Sequence, residues 1–476
     1  MVKETTLVLM AAIAQARPNP DASFRRNVHI FVDDAEISEK SGIVRRAHPC
    51  KKSPSPVLEP EMPWEKADDE RVYLYGTVLR DPSSGSLSMW YNRIGTVLYA
   101  TSQDGVLWKR PILELHAYQG TTQNNVVFLD LHSPSVLFDT WETDPKKRYK
   151  MLGYSHKKEK DFRGYCAAYS GDGLHWILYP KNPVLPHGDT CTLCALAATR
   201  EYLAFHKIYR EWQGHKRRLV YLAVSKDMQH WSEPQLVMAP DEIDDEQTVS
   251  EGGLWSEFYN MSAFPYAGQF LGLITHFRYK GAPKTKGRTQ SPHDGPIDVQ
   301  LVHSRDGKTW HRCEDRSPVI PNGPYAYDAG CILGVGNGPV IMGDEMWIYY
   351  TGITTTHGGY VPEKRITIAR GVWRVDGLVS LYAGDASGWV ETTPLDPKGD
   401  TLTVNADGSK GELRVALLDE DGNALPSYEV EDCIPVTTDS VRHRVHWKSS
   451  AHLPEGKPFR IRFYIRSADL YSYSFF

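Results

Sequence analysis

Hydrophobic and polar positions alternate along most of this chain with a period of two, the signature of strands with one face buried. Runs such as "VYLYGTVLR" (72–80), "RYKMLGYS" (148–155), "RRLVYLAVS" (217–225) and "QFLGLITHF" (269–277) are short, rich in β-branched and aromatic residues, and bounded by Gly, Pro, Asn and Asp. No long stretch carries the 3.6-residue period of an amphipathic helix. The pattern predicts an all-β protein.

A repeat organises the strands. "SQDGVLW" begins at Ser102, "SGDGLHW" at Ser170, "SKDMQHW" at Ser225 and "SRDGKTW" at Ser304. Each follows a β-rich run. The Asp is suited to accept hydrogen bonds from the turn backbone, the Gly to a positive φ, and the Trp to anchor the next strand in the core. Uneven spacing implies repeated units with variable loops. Reading outward gives four strands per unit, closing with "LWKRP", "WILYP", "HWSEPQLV" and "TWHRC". A fifth unit lacks the turn but has "DAGCILGVG", "MWIYYTGI", "ITIARGVW" and "LVSLYAG". Five four-stranded antiparallel units predict a five-bladed β-propeller over 71–387. From 388 to 476, alternating strands with Asp-Gly turns predict a small β-sandwich. Residues 21–70 read as one strand, "HIFVDDAEI", followed by Pro-rich loop, packed on the propeller. Residues 1–20 read as a signal segment or a short helix, which favours secretion or a periplasmic location slightly over the cytoplasm.

Composition narrows the function. Across 476 residues the net charge is −5, with Lys and Arg scattered, so nucleic acid and membrane are not expected partners. The 13 Trp and 26 Tyr suit strand packing and also stacking on sugar faces. Seven scattered Cys imply no disulfide framework. Cys191 and Cys194 have metal-site spacing, yet on a strand residues three apart face opposite ways. Arg80-Asp81-Pro82 has the form of a fructosidase signature. It sits between first and second strands, where "WETDPKKR" and "MGDEMW" recur in other units, and so reads as a hairpin turn.

Five predicted blades, Ser-x-Asp-Gly-x-x-Trp turns and a C-terminal sandwich resemble the furanosidase superfamily of glycosidases, families 32 and 43 and their relatives. More closely, phrases such as "IFVDDAEI", "SPSVLFD", "SEFYNM", "IDVQLVHSRDGKTW" and "GELRVALLDEDG" resemble bacterial family-32-like proteins with a C-terminal β-sandwich, over nearly the whole chain. The resemblance implies hydrolysis of a glycan by paired carboxylates near the propeller axis, where first strands begin. There stand Asp189 (base or nucleophile), Glu257 (general acid, set among Trp255, Phe258 and Tyr259) and Asp328 (tuning the acid or binding substrate). His187, His132, Tyr73, Asp298 and Asp34 are expected substrate contacts. The chain departs from the pattern in lacking Trp-x-Asp-Pro or Asn-Asp-Pro-Asn-Gly in its first unit, and in having no Glu-Cys. No cofactor is expected. His293 and His357, in "SPHDGPID" and "TTTHGG", could serve an axial structural metal ion, but no recognised ligand spacing supports one. The competing expectation is a non-catalytic carbohydrate-binding propeller. A protein-binding scaffold ranks below both.

Overall fold

A computed structural model describes residues 27–66, 71–93, 95–156, 163–186, 188–284, 291–454 and 458–476. The expected signal or helix over 1–20, and His187, lie outside the described residues. The protein is almost entirely β. Among the described residues no helix is long and apolar enough to cross a membrane.

Three sheets are simple four-stranded antiparallel meanders. They comprise Tyr73–Arg80 to Val126–Leu129, His132–Phe138 to Ile177–Leu178, and Cys191–Leu196 to Gln235–Met238. The next two groups, led by Trp255–Tyr266 and Cys331–Val335, join through one parallel pairing of Ile297 with Cys331. The leading strands pack in succession, Tyr73–Arg80 on His132–Phe138, then Cys191–Leu196, Trp255–Tyr266 and Cys331–Val335. The last packs back on the first. Early residues of these strands (Tyr73, His132, Tyr259, Leu333) surround one cavity of about 390 Å³. Their far ends (Arg80, Phe138, Ala195, Pro265) surround a second, of about 370 Å³.

The repeated turns form as their residues dictate. Asp104 Oδ1 accepts from the backbone N–H of Val106 and Leu107, and Gly105 adopts φ +70. Asp172, Asp227 and Asp306 repeat the bonds, with Met228 taking the positive φ in the third. The structure adds a role for them between units. Trp90 of the first unit donates to Gly173 O in the second unit's turn (2.7 Å), and Tyr349 of the fifth donates to Gly105 O in the first (3.0 Å). These two turns therefore fasten their units to the ones before. Asp81 also makes a turn: its Oδ1 accepts from Ser83 N (2.8 Å) and Ser84 N (3.0 Å), at the second cavity. Cys191 and Cys194 face different apolar cores, as strand alternation requires, and burial pushes the Cys194 thiol up to about 12.

Several strand assignments are corrected. The fourth strand of the first unit is Val126–Leu129, while "LWKRP" contributes one bridge, Lys109 to Thr101. "LVSLYAG" does not complete the fifth unit. Val379–Ala383 pairs instead with Ala468–Phe475 and with Val44–Ala47. The outer strand of the fifth unit comes from the other end of the chain, with Lys51 and Lys52 pairing with Val372 and Gly371. The segment read as one strand and a loop supplies four short strands, three of which join the C-terminal sheets. Those two sheets face a shared core that includes Phe31, Val404, Val415, Phe463 and Tyr473. Local alternation marks a strand but not its partner, which tertiary packing decides.

Lys52 secures the closing strand. Its ammonium donates to Asp328 Oδ2 (2.6 Å), Gly323 O (2.8 Å) and Pro321 O, with both charged side chains buried. Replacing Lys52 with Met strands a buried carboxylate and should destabilise the fold by roughly 3–5 kcal/mol. Adding Asp328→Asn should restore a large part, measured by thermal unfolding of the single and double variants. Gly173→Ala should also cost about 1–3 kcal/mol. Its φ is +76, and a Cβ there would lie 2.7 Å from the Trp90 ring. An unchanged melting temperature for this variant would contradict the fastening role of the turn.

Candidate active site

The cavity at the early ends of the leading strands is a funnel with one carboxylate among its described lining residues, Asp189. Gly188 brings Asp189 into place. It adopts φ +140, and a Cβ there would lie 2.1 Å from Tyr165 Oη. That hydroxyl donates to Thr190 O (2.8 Å) and accepts from Asp189 N (3.2 Å), which fixes the strand entry. About a third of the Asp189 side chain remains exposed in the funnel, so a ligand can reach it.

Lys207 approaches from the adjacent strand, Glu201–Trp212, and donates from Nζ to Asp189 Oδ2 (2.5 Å) while lying 3.8 Å from the centre of the Tyr259 ring. His132 Nε2 stands 3.5 Å from the other oxygen, Oδ1. Burial by itself would raise the Asp189 carboxyl. Lys207 and then His132 outweigh it and hold the group well below the usual carboxylate range, so it is ionised at any working pH. Burial also pushes the His132 imidazole down to about 4, against the opposing pull of Asp189. The ring is therefore neutral near pH 7. Tyr73 and Tyr75, two apart on one strand face, stack at 5.5 Å, and Tyr75 meets the His132 ring edge-on at 5.2 Å. These rings offer flat apolar surface beside a polar floor.

Asp189, His132 and Tyr73 thus line one funnel. Glu257 does not line the funnel. It is buried one layer back, with Oε2 bonded to Arg218 Nη1 and Oε1 accepting from Trp255 Nε1 (3.1 Å). The apolar setting read from Trp255, Phe258 and Tyr259 contains a guanidinium that sequence neighbours did not reveal. Asp328 is likewise remote, committed to Lys52 and to the Tyr350 hydroxyl (2.9 Å), and burial raises its carboxyl. Asp298 is buried against Arg278 on a third strand. Asp34 pairs with Lys40 (2.7 Å) and Arg45. None of these three lines the funnel, because each is drawn to a cation elsewhere in the fold. His293 and His357 do line it, joined by a bond from His357 Nδ1 to His293 O (2.9 Å).

Lys207, Arg218 and His156 line the funnel without having been expected from the sequence, and Tyr259, expected only as a neighbour of Glu257, lines it too. The site was expected at the starts of leading strands, whereas Arg218 lies on a third strand and Lys207 on a second. The second strand of a meander runs antiparallel to the first, so its far end returns to the same mouth. His156 directly follows such a strand, Tyr149–Ser155, and that position was a signal available in the sequence.

No family model matches the chain. A search of characterised proteins finds the extracellular exo-inulinase of Aspergillus awamori, 26% identical over 204 residues, covering 39% of this chain and 38% of that protein. The extracellular exo-inulinase of Aspergillus niger matches over the same length at 25%. The match spans about two fifths of the length of these relatives. Among solved structures, a glycoside hydrolase superposes with TM-score 0.46 at 13% identity over 67% of this chain and 92% of its own. The family 32 β-fructofuranosidase of Bombyx mori gives 0.39 at 10% identity over 99% and 98%. The resemblance of this chain is to the glycosidases, with extracellular exo-inulinases as its matched relatives.

Proposed function

We propose that the protein is a glycoside hydrolase that takes the end of a glycan into the funnel, on a five-bladed propeller followed by a β-sandwich. The observation that carries this reading is Asp189, an ionised carboxylate that ligands can reach, set between Lys207 and His132 beside stacked tyrosines. In this role Asp189 acts as base or nucleophile at the scissile bond. Glu257 is the candidate for the proton donor, held by Arg218, which itself lines the funnel. It can serve only when substrate draws Arg218 away from it, since that guanidinium now holds it. The cyclic succession of leading strands supports the propeller, and the shared core of the two C-terminal sheets supports the sandwich. The exo-inulinase match makes fructans the first substrates to try and supports secretion.

One observation favours a second reading, a carbohydrate-binding protein without hydrolysis. Both candidate carboxylates are engaged by cations, Asp189 by Lys207 and Glu257 by Arg218.

A panel of fructans and other oligosaccharides, assayed for released sugar and for binding by calorimetry, separates the two. The hydrolase reading expects turnover by the native protein. It also expects Asp189→Asn and Glu257→Gln each to lower kcat/KM by about 10²–10⁴ while ligand binding persists. Binding with no release from any glycan would establish the second reading. Full activity of Asp189→Asn would overturn the assignment of the site.

A further inference from the structure

Asn92 settles the protonation of His132. Its amide Nδ2 donates to Thr96 O (3.0 Å) and Leu131 O (3.2 Å), so its Oδ1 is the end that faces His132 Nδ1, at 2.8 Å. That oxygen can only accept, and His132 therefore carries its proton on Nδ1. His132 Nε2 is then the ring nitrogen that faces Asp189 Oδ1, across a gap of 3.5 Å.

A third donor stands at the same gap. The His156 ring lies 5.4 Å from that of His132, and one ligand atom from each of His132, His156 and Asp189 falls within 4.8 Å of the others. Among the described residues this is the one group of three such side chains so arranged. Nitrogen and oxygen ligands about 2.0–2.2 Å from an ion sit roughly 3–4 Å from one another. His132 and Asp189 already meet that spacing. His156 is exposed, at the end of its strand, and closes the remainder by a change of rotamer. The outer contacts match what a bound ion requires. Asn92 fixes the tautomer of one imidazole, and Lys207 holds Asp189 Oδ2, leaving Oδ1 to ligate.

We propose that His132, His156 and Asp189 bind one divalent first-row transition ion, with a coordination position open to the funnel. Two imidazoles and one carboxylate suit zinc, cobalt or manganese rather than calcium or magnesium. The open position would take a hydroxyl or carbonyl oxygen of the ligand. The site does not depend on the hydrolase reading, although Asp189 would then meet substrate as a metal ligand and not as a free base.

Metal-stripped protein, dialysed against zinc or cobalt and analysed for bound metal, tests this without turnover. One equivalent should bind with micromolar or tighter affinity, and the cobalt form should show the intense visible bands of a low-coordinate site. His132→Ala and His156→Ala should each weaken binding about 100-fold or more, and Asn92→Ala about 10- to 100-fold. Affinity should fall on acidification as the histidines take up protons. His156 is exposed, so its variant should keep the native melting temperature and separate ligation from folding. Less than stoichiometric zinc in the native protein, or native affinity in His156→Ala, would overturn the proposal. Either result would assign the gap to a water, whose two hydrogens can serve both His132 Nε2 and Asp189 Oδ1.

Discussion

The ion pair between Lys52 and Asp328 joins an early strand of the chain to its last repeated unit, and the funnel depends on that closure. A succession of sheets that returns to its start leaves one seam, and unpaired strand edges there would be exposed. Here the edge strand Ile366–Arg374 is covered by Lys51 and Lys52, and Leu58 continues the pairing at Ile368. The same early segment supplies strands to the C-terminal sheets. Both parts of the molecule are therefore incomplete without it, and they are expected to unfold together.

Closure sets where charge can lie. The leading strands converge at one mouth, and the ends of their neighbours return there. Lys207 and Arg218 reach it from adjacent strands of one sheet, and Arg71 and Lys364 from two connections, against a single carboxylate among the described lining residues. The aromatic rings do more than offer a stacking surface. Tyr209, Tyr259 and Phe277 each lie 5.0 Å from the Arg218 guanidinium, so the cation is held by π faces as well as by Glu257. In such a setting Asp189 is held well below the usual carboxylate range by Lys207 and His132 although burial opposes it, and burial pushes the His132 imidazole down although an anion stands 3.5 Å away. His156 joins them there, with one ligand atom of each of the three side chains within 4.8 Å of the others.

Much of this was legible from local pattern. The period-two alternation placed most strands, the Ser-x-Asp-x-x-x-Trp repeat located four turns, and the position of Arg80-Asp81-Pro82 between strands marked it as a turn. Asp189, His132 and Tyr73 were found by asking what stands where leading strands begin. The failures were of one kind. Asp328, Asp298 and Glu257 looked like free acids because Lys52, Arg278 and Arg218, which neutralise them, are 20 to 276 residues away in the chain. Val379–Ala383 looked like a fifth-unit strand because a strand does not carry the identity of its partner.

By itself the sequence determined the all-β class, the turn chemistry and the small set of polar side chains near strand starts, since each depends on residues within a few positions of one another. Tertiary structure decided which acids remain available, how the seam is closed, and that His156 and Lys207 meet Asp189. Those outcomes depend on charges and strand edges that become neighbours only when distant segments pack, and no local periodicity encodes them.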